Sequence, residues 1–238
     1  MSAADLPGEV HVLADPLGVA AAAAEWITAR SAECDTFRIA CAGGSTPTLL
    51  YEALASPGFR DRVDWPRWRV FFGDERAVPP DDAASNYRLV RDNLLDRVPI
   101  SPHHVHRIEA ERIDLDAAAA EYSRLLEGEA GDPPRLDVVL LGLGPDGHTA
   151  SLFPGTDALE VTDAWAVRGR APMAPEDRIT LTLPVLNAAM NVAFLVTGAT
   201  KADALRAVRA GTVPAARVRP PGDRLHWFLD SVAARSIE

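Results

Sequence analysis

The sequence predicts a doubly wound α/β domain with a mostly parallel sheet, extending over residues 1–238. Short β-rich runs alternate with helical stretches along the chain, and this alternation favours parallel strands joined by right-handed crossovers. Several of the runs are apolar throughout, as strands buried on both faces of a sheet are. Hydrophobic residues make up 47% of the chain, which is enough for a substantial core.

Seven runs have the composition or the alternation of strands. In chain order they are 9–15, 37–42, 67–72, 136–142, 178–183, 191–198 and 225–230. The run RITLTL (178–183) alternates between polar and apolar residues, whereas LDVVLLG (136–142) is almost continuously apolar. Both patterns are typical of strands, at different degrees of burial.

Segments between these runs are predicted to be helices: 16–30, 47–54, 85–95, 115–128 and 201–208. We interpret the alanine run 20–24 as the buried face of the first helix. Pro47 in the first turn, with Ser45 or Thr46 as the cap, predicts the start of the second helix. Gly128 predicts the end of the fourth helix.

The overall composition excludes several classes of protein. A net charge of -10 argues against a nucleic-acid-binding surface. The only two cysteines, Cys34 and Cys41, lack metal-type spacing and are typical of a reduced, cytoplasmic protein. The N-terminus has no basic region followed by an apolar segment, so we expect no signal peptide, and no apolar run is long enough to span a membrane.

Four unusual segments directly follow predicted strands. They are GGST (43–46), GDER (73–76), GPDGHT (144–149) and TGATK (197–201). In open parallel sheets, ligands bind beyond the carboxyl ends of the strands, which lie on the same side of the molecule. The sequence therefore predicts that these segments line one crevice.

The first of these segments is suited to binding a phosphate. Gly43 and Gly44 would let the backbone approach a ligand closely, and Ser45 and Thr46 add hydroxyl donors. The helix that follows supplies unpaired N–H groups and the positive end of its dipole. An ordinary glycine turn with a capping hydroxyl has the same composition, so this motif alone leaves both interpretations open.

Charged residues in two other segments indicate how such a ligand would be held. In GDER, we interpret Arg76 as a phosphate contact and Asp74 as a partner of sugar hydroxyls, with a solvated turn as the alternative. Lys201 is the single lysine beside 23 arginines, and its place in the first turn of a helix opposes the helix dipole. A residue placed against local preference indicates a function, here a phosphate contact, with an ordinary surface charge as the alternative.

The segment GLGPDGHT (142–149) has three possible interpretations. It matches the dinucleotide fingerprint G-x-G-x-x-G, but Pro145 lacks an N–H for a pyrophosphate and Asp146 would place a negative charge beside it. A plain tight turn explains the glycines but does not account for His148. As a catalytic loop, the segment would present His148 to the crevice, and an imidazole, which ordinarily titrates at roughly pH 6.5, suits proton transfer.

Other catalytic patterns are missing from the sequence. It has neither a G-x-S-x-G nucleophile elbow nor a G-x-x-x-x-G-K-[ST] phosphate loop. The stretch HHVH (103–106) could bind a metal, but no carboxylate or cysteine frames it, and the edge of a short strand is the simpler interpretation. We therefore expect neither a metal nor a cofactor.

Taken together, the segments resemble the 6-phosphogluconolactonase family. The resemblance extends over most of the chain through AGGSTP (42–47), FFGDER (71–76), SNYRL (85–89), LLGLGPDGHTASLFPG (140–155), RITLTLPVLNAA (178–189) and VTGATKADALR (196–206). The family's fold implies a three-layer α/β/α domain. Glucosamine-6-phosphate deaminases share the fold and the Asp-Gly-His core. Their pattern has a Glu where this chain has Phe153, and usually a Tyr where it has Arg76, so both differences favour the lactonase.

The resemblance implies hydrolysis of 6-phosphoglucono-1,5-lactone to 6-phosphogluconate, the second step of the pentose phosphate pathway, without metal or cofactor. His148 would activate the attacking water and later protonate the leaving ring oxygen, while Asp146 would shape the loop and orient His148. Gly142 and Gly144 would leave space for the sugar. The substrate-binding residues would be Gly43, Gly44, Ser45, Thr46, Asp74, Arg76 and Lys201. Contacts from Asn86, Arg88 or Arg178 to the substrate are left open.

Two other functions are compatible with this fold. One is a glucosamine-6-phosphate deaminase or isomerase, and the other is a non-catalytic sugar-phosphate sensor of the kind attached to bacterial regulators. A sensor needs a DNA-binding module, for which a first strand near residue 9 leaves no room. We expect a small phosphosugar lactone as the partner, with no nucleic acid and no membrane, and a monomer or small homo-oligomer.

Overall fold

A computed structural model describes residues 6–235. Its strands are β1 (Glu9–Leu13), β2 (Phe37–Cys41), β3 (Trp68–Phe72), β4 (Asp74–Arg76), β5 (Val138–Leu141), β6 (Ala166–Arg170), β7 (Asp177–Leu181), β8 (Val192–Val196) and β9 (Leu225–Asp230). Its α-helices are α1 (Pro16–Ala32), α2 (Ser45–Leu54), α3 (Pro57–Arg60), α4 (Asn86–Asn93), α5 (Leu115–Ala130), α6 (Leu183–Ala188), α7 (Ala202–Ala210) and α8 (Ser231–Arg235). Between residues 6 and 235, no helix is both long enough and apolar enough to cross a bilayer.

The main sheet confirms the predicted doubly wound, parallel architecture. Its six strands lie in the order β1-β9-β8-β5-β2-β3, and every neighbouring pair is parallel. Helices cover both faces, which makes the three layers. The central strands β5 and β8 are buried along their whole length, as their apolar sequences require.

A second sheet was not predicted. Strands β4, β7 and β6 form it in that order, and both of its pairs are antiparallel. The run 178–183 is a strand as expected, but it pairs with Asp74–Arg76, which we expected to be a loop. Three consecutive charged residues carry no apolar alternation, so no local pattern identifies β4 as a strand. Its pairing places Arg76 opposite Arg178.

The predicted cap of α2 and the predicted end of α5 are wrong. Helix α2 begins at Ser45, and Gly44 occupies the cap position, so neither Ser45 nor Thr46 caps the helix. Helix α5 continues through Gly128 to Ala130 and is capped by Gly131. A glycine inside a helix costs about 1 kcal/mol, which the burial of the helix's apolar face offsets.

Candidate active site

The predicted crevice is present. A cavity of about 310 Å³ lies at the carboxyl ends of β3, β2, β5 and β8, which are neighbours in the main sheet. All the predicted substrate-binding residues line it, together with His148: Gly43, Gly44, Ser45, Thr46, Asp74, Arg76 and Lys201. Asp146 does not line the cavity and reaches it only through His148. The sheet order explains this convergence, because adjacent parallel strands end side by side.

His148 and Asp146 form a tight pair in the loop after β5. Nδ1 of His148 lies 2.5 Å from Oδ1 of Asp146, and the backbone N–H of His148 donates to the same oxygen at 3.2 Å. The His148 side chain is about one quarter exposed. The loop is closed by two further hydrogen bonds, from Gly144 N to His148 O at 2.9 Å and from Thr149 Oγ1 to Gly142 O at 2.9 Å. The imidazole is therefore held on a rigid turn.

The pairing determines which imidazole nitrogen can act as a base. Partial burial raises the pKa of Asp146, but hydrogen bonds from His148 and its nearby charge outweigh burial, so the pKa is lowered overall. Asp146 is therefore a carboxylate at neutral pH, and a carboxylate only accepts hydrogen bonds. Nδ1 of His148 must carry the proton, which leaves the lone pair on Nε2 for proton transfer.

Two neighbours fix the position of the His148 ring. A side chain at Gly144 would overlap the imidazole, so this glycine leaves space for the His148 ring. The prediction that Gly144 leaves space for the sugar is therefore wrong. A Cβ atom added at Gly142 would have no other atom within 4 Å, so this glycine does face open space. The buried ring of Phe153 packs against the imidazole with its centroid 4.2 Å away.

Asp74 is held in a defined orientation at the wall of the cavity. Its Oδ1 accepts a hydrogen bond from Asn86 Nδ2 at 3.1 Å, and its Oδ2 accepts from Ser151 Oγ at 2.6 Å. The Asn86 side chain fills the space beside Gly43, where any side chain would overlap it. Gly43 thus leaves room for Asn86, and its contact with a ligand stays a prediction. Each carboxylate oxygen keeps a second lone pair for a sugar hydroxyl.

Glu75 points away from the cavity, unlike its neighbours in β4. Its Oε1 accepts from the backbone N–H groups of Arg76 and Asn86, both at 2.8 Å. Its Oε2 accepts from Tyr87 N at 2.8 Å and from Ser85 Oγ at 3.0 Å. This buried carboxylate therefore satisfies the unpaired N–H groups at the start of α4 and places Asn86 beside Asp74.

Replacing Glu75 by alanine is expected to lower the free energy of unfolding by about 3 kcal/mol, because buried donors lose their acceptor. Urea unfolding followed by circular dichroism measures the loss. Glu75→Gln is the matched control and should lose less, since it keeps one carbonyl oxygen as acceptor. An alanine variant within about 1 kcal/mol of the parent would show that these donors do not depend on Glu75.

Arg76 and Arg178 form a cationic corner without acidic partners. Arg76 donates from Nη1 to the carbonyl of Ala84, but the buried Nε atoms of both arginines have no hydrogen-bond partner. Within residues 6–235, neither guanidinium has a carboxylate oxygen within 4.0 Å. Burial and the charge of Arg76 lower the pKa of Arg178, against the opposing effect of Asp74 and Glu75. An anion bound here would accept hydrogen bonds from the two guanidinium groups and would offset the cost of burying their charges.

Lys201 lies at the other side of the cavity. It ends a 3₁₀ turn (Ala199–Lys201) and precedes α7, so the prediction that it lies in the first turn of the helix is wrong. Its Nζ donates to the carbonyl of Leu143 at 2.7 Å, which leaves two of its three donors for a ligand. Burial lowers the pKa of Lys201, and the charge of Asp146 acts in the opposite direction. The hydroxyls of Thr46 and Thr197, 2.8 Å apart, join the first turn of α2 to the loop after β8.

Ser151 is the residue of the site to which the sequence analysis gave no role, whereas contacts from Asn86 and Arg178 were left open. All three belong to segments that carry the family resemblance, but their contacts depend on pairing between distant strands. Arg178 offered one local signal, because it begins a run whose other members are buried strand residues. A charged residue at such a position needs a partner or a ligand.

Among the residues that the structure describes, the HHVH stretch contributes to no group of three or more metal-ligating side chains. Pro102–His104 is a 3₁₀ turn, and only Val105 bridges to β3, through Val70, so the expected short strand is a single bridge. His104 Nδ1 contacts Arg69 Nη1 at 2.9 Å, whereas the His106 ring stacks on Phe71. The side chains of this stretch thus face separate partners.

The chain is similar to known proteins of one family. Residues 14–227 match the model of the family described as glucosamine-6-phosphate isomerases/6-phosphogluconolactonase. The chain is 39% identical over 247 residues to the 6-phosphogluconolactonase of Rattus norvegicus, covering 99% of this chain and 96% of the relative. It is 38% identical over 218 residues to 6-phosphogluconolactonase 3, chloroplastic, of Arabidopsis thaliana, covering 86% of this chain and 66% of that relative.

A solved structure agrees with both the fold and the family. The 6-phosphogluconolactonase from Trypanosoma brucei superposes with a TM-score of 0.85 at 29% identity, covering 98% of this chain and all of that one. The family match spans all four loops of the cavity, from Gly43 to Lys201. This chain therefore belongs to the glucosamine-6-phosphate isomerase/6-phosphogluconolactonase family.

Proposed function

We propose that this protein hydrolyses 6-phosphoglucono-1,5-lactone to 6-phosphogluconate, with His148 as the general base. The observation that carries the proposal is the 2.5 Å contact between His148 Nδ1 and Asp146 Oδ1, beside a cavity of sugar-phosphate size. The pair leaves Nε2 of His148 as a proton acceptor. The similarity to lactonases over nearly the whole chain supports the same reaction.

The chemistry requires one base that acts twice. Nε2 of His148 removes a proton from a water molecule as its oxygen attacks the lactone carbonyl carbon. The tetrahedral intermediate collapses by breaking the bond to the ring oxygen, and His148 returns the proton to that oxygen. Asp146 stabilises the imidazolium formed between the two steps. Backbone N–H groups of the glycine-rich turns are the candidates for stabilising the oxyanion.

The phosphate of the substrate supplies binding energy away from the reacting carbon. Arg76, Lys201 and the 43–46 loop would hold it, and Arg178 would strengthen the cationic corner beside Arg76. Asp74, oriented by Asn86 and Ser151, would accept hydrogen bonds from sugar hydroxyls. Fixing the far end of the substrate places the lactone carbonyl against His148.

The deaminase alternative is less well supported. Deamination needs ring opening, proton movement between two carbons and departure of ammonia, and hence several positioned acid–base groups. Where deaminases carry a Glu, this chain has Phe153, packed against the His148 ring. A non-catalytic sensor would have no need for the aligned His148–Asp146 pair.

We further propose that the chain acts as a single cytoplasmic domain over residues 1–238, as a monomer or small homo-oligomer. Its partner would be a small phosphosugar and not nucleic acid. The net charge of -10 supports this proposal, as do Cys34 and Cys41, both of which are free thiols.

The test of the function is a coupled dehydrogenase assay that follows 6-phosphogluconate formed from freshly prepared lactone. It must be fast, because the lactone also hydrolyses without an enzyme. We expect a rate far above the spontaneous one and proportional to protein concentration. A rate equal to the protein-free control would contradict the proposal.

Arg76→Ala and Lys201→Ala are each expected to weaken binding of the phosphorylated lactone by roughly 1.5–3 kcal/mol, because each removes a charge-assisted contact. The measurement is kcat/KM on 6-phosphogluconolactone and on gluconolactone, which lacks the phosphate and should lose much less. Arg88→Ala is a matched control, since Arg88 donates to Asp81 and Asp92 outside the cavity. Equal losses on both lactones would exclude a role in holding the phosphate.

A further inference from the structure

Three side chains with metal-ligating atoms meet at the amino ends of the strands, away from the candidate active site. Glu9 and His11 are two residues apart in β1 and therefore project from the same face of the sheet. Glu9 is paired in register with His226 of β9, which brings the second histidine to this face. The ligand atoms of the three side chains all lie within 4.8 Å of one another.

The distances suit a shared ion. Nε2 of His11 lies 3.6 Å from Oε1 of Glu9, and Nδ1 of His226 lies 3.3 Å from Oε2 of Glu9. Two ligands of a tetrahedral zinc ion, with bonds of about 2.0–2.1 Å, are separated by about 3.3 Å. Small adjustments of the exposed Glu9 side chain would let all three contact one ion.

Unsatisfied nitrogens point to a missing partner. His226 is only 2% exposed, yet neither of its ring nitrogens has a hydrogen-bond partner, and the buried Nε2 of His11 also lacks one. A buried polar atom without a partner is costly and needs an explanation. A metal ion bound to these nitrogens would supply the missing partner.

We propose that Glu9, His11 and His226 form a binding site for a divalent transition-metal ion of the zinc class. Two imidazole nitrogens with one carboxylate oxygen favour such ions over Ca²⁺ and Mg²⁺, which prefer oxygen ligands alone. Three protein ligands leave a fourth position for water. The exposed carboxylate of Glu9 provides the route of entry from solvent.

The surroundings hold the two histidines in place. The Trp26 ring meets His226 edge-on at a centroid distance of 4.8 Å, and His11 stacks on Phe228 at 4.5 Å. Arg30 is the neighbouring cation that opposes metal binding, but its guanidinium lies over the Trp26 ring, 3.9 Å from the centroid. A bound ion would join the edge strand β1 to β9, which is a stabilising role and not a catalytic one.

The test is calorimetric titration of zinc chloride into the full chain after removal of metals with a chelator. We expect one equivalent to bind, and Glu9→Gln and His11→Gln each to weaken binding at least about tenfold. His103→Gln, at an exposed histidine outside the group, should bind as the parent does. At a zinc concentration about 100-fold above Kd, the melting temperature of the parent should rise by about 5 °C.

Glu9 and His11 are chosen because they are more accessible than His226, so their replacement should leave the fold intact, as circular dichroism can verify. Binding that is unchanged in both variants would overturn the proposal, as would binding lost in His103→Gln. A titration without saturable binding up to millimolar zinc would overturn it as well.

Discussion

Replacing His148 by alanine is expected to lower kcat for lactone hydrolysis by about 10²–10⁴-fold, the range that general acid–base catalysis contributes. The effect should fall on kcat more than on KM, because Arg76, Lys201 and the 43–46 loop remain to bind the phosphate. Steady-state kinetics on fresh lactone, corrected for spontaneous hydrolysis, provide the measurement. The melting temperature should stay close to that of the parent, since the His148 side chain is partly exposed.

His103→Ala is the matched control for this variant, because it removes an exposed imidazole outside the cavity. It should leave kcat and KM unchanged. If His148→Ala keeps nearly full kcat with an unaltered melting curve, His148 is not the base. Another group lining the cavity, with Asp74 the first candidate, would then have to activate the water.

Asp146→Asn is expected to lower kcat by about 10²-fold or more while substrate binding is largely preserved. An asparagine amide can donate to Nδ1 of His148 and thereby stabilise the tautomer that carries its proton on Nε2. That tautomer has no lone pair available for the attacking water. The imidazolium formed during turnover also loses its neighbouring negative charge.

Asp146→Glu separates orientation of His148 from a merely structural role for Asp146. It keeps a carboxylate as the acceptor for Nδ1 of His148, so it should retain more of the parent's kcat than Asp146→Asn does. A kcat equal to that of the parent in Asp146→Asn would rule out the orienting role.

Much of the fold could be predicted because the strands of the main sheet are buried on both faces. The apolar runs of β5 and β8 define strands without reference to the rest of the chain. Strand β4 could not be found in this way, since Asp74–Arg76 is wholly charged and exists as a strand only through its pairing with β7. The end of α5 was misjudged because Gly128 is tolerated inside a helix that is otherwise well packed.

The candidate site was predictable in its location and less so in its orientation. Parallel strands bring their carboxyl ends together, so the four loops had to meet once the sheet was recognised. The sequence does not show that Glu75 turns toward α4 or that Gly144 makes room for the His148 ring. These details depend on contacts between segments that are distant in the chain.

The group formed by Glu9, His11 and His226 depends most strongly on contacts between distant segments, and the sequence did not predict it. Its members come from the first and last strands, and only the register of β1 on β9 brings them together. The sequence analysis considered a metal site at HHVH (103–106) instead, because this stretch has the densest run of histidines. In the structure, His104 contacts Arg69 and His106 stacks on Phe71. Local density of ligand types was therefore a poorer guide than strand pairing.

The most direct test of the central claim compares two phosphosugars on the same preparation of the protein. Fresh 6-phosphogluconolactone is assayed for hydrolysis, and glucosamine 6-phosphate is assayed for release of ammonia. Both carry the phosphate that Arg76 and Lys201 would bind, but only the lactone can be opened by one base and one water. We expect rapid lactone hydrolysis, no ammonia above background, and at most weak competitive inhibition by glucosamine 6-phosphate. Ammonia release at a rate comparable to lactone hydrolysis would contradict the account.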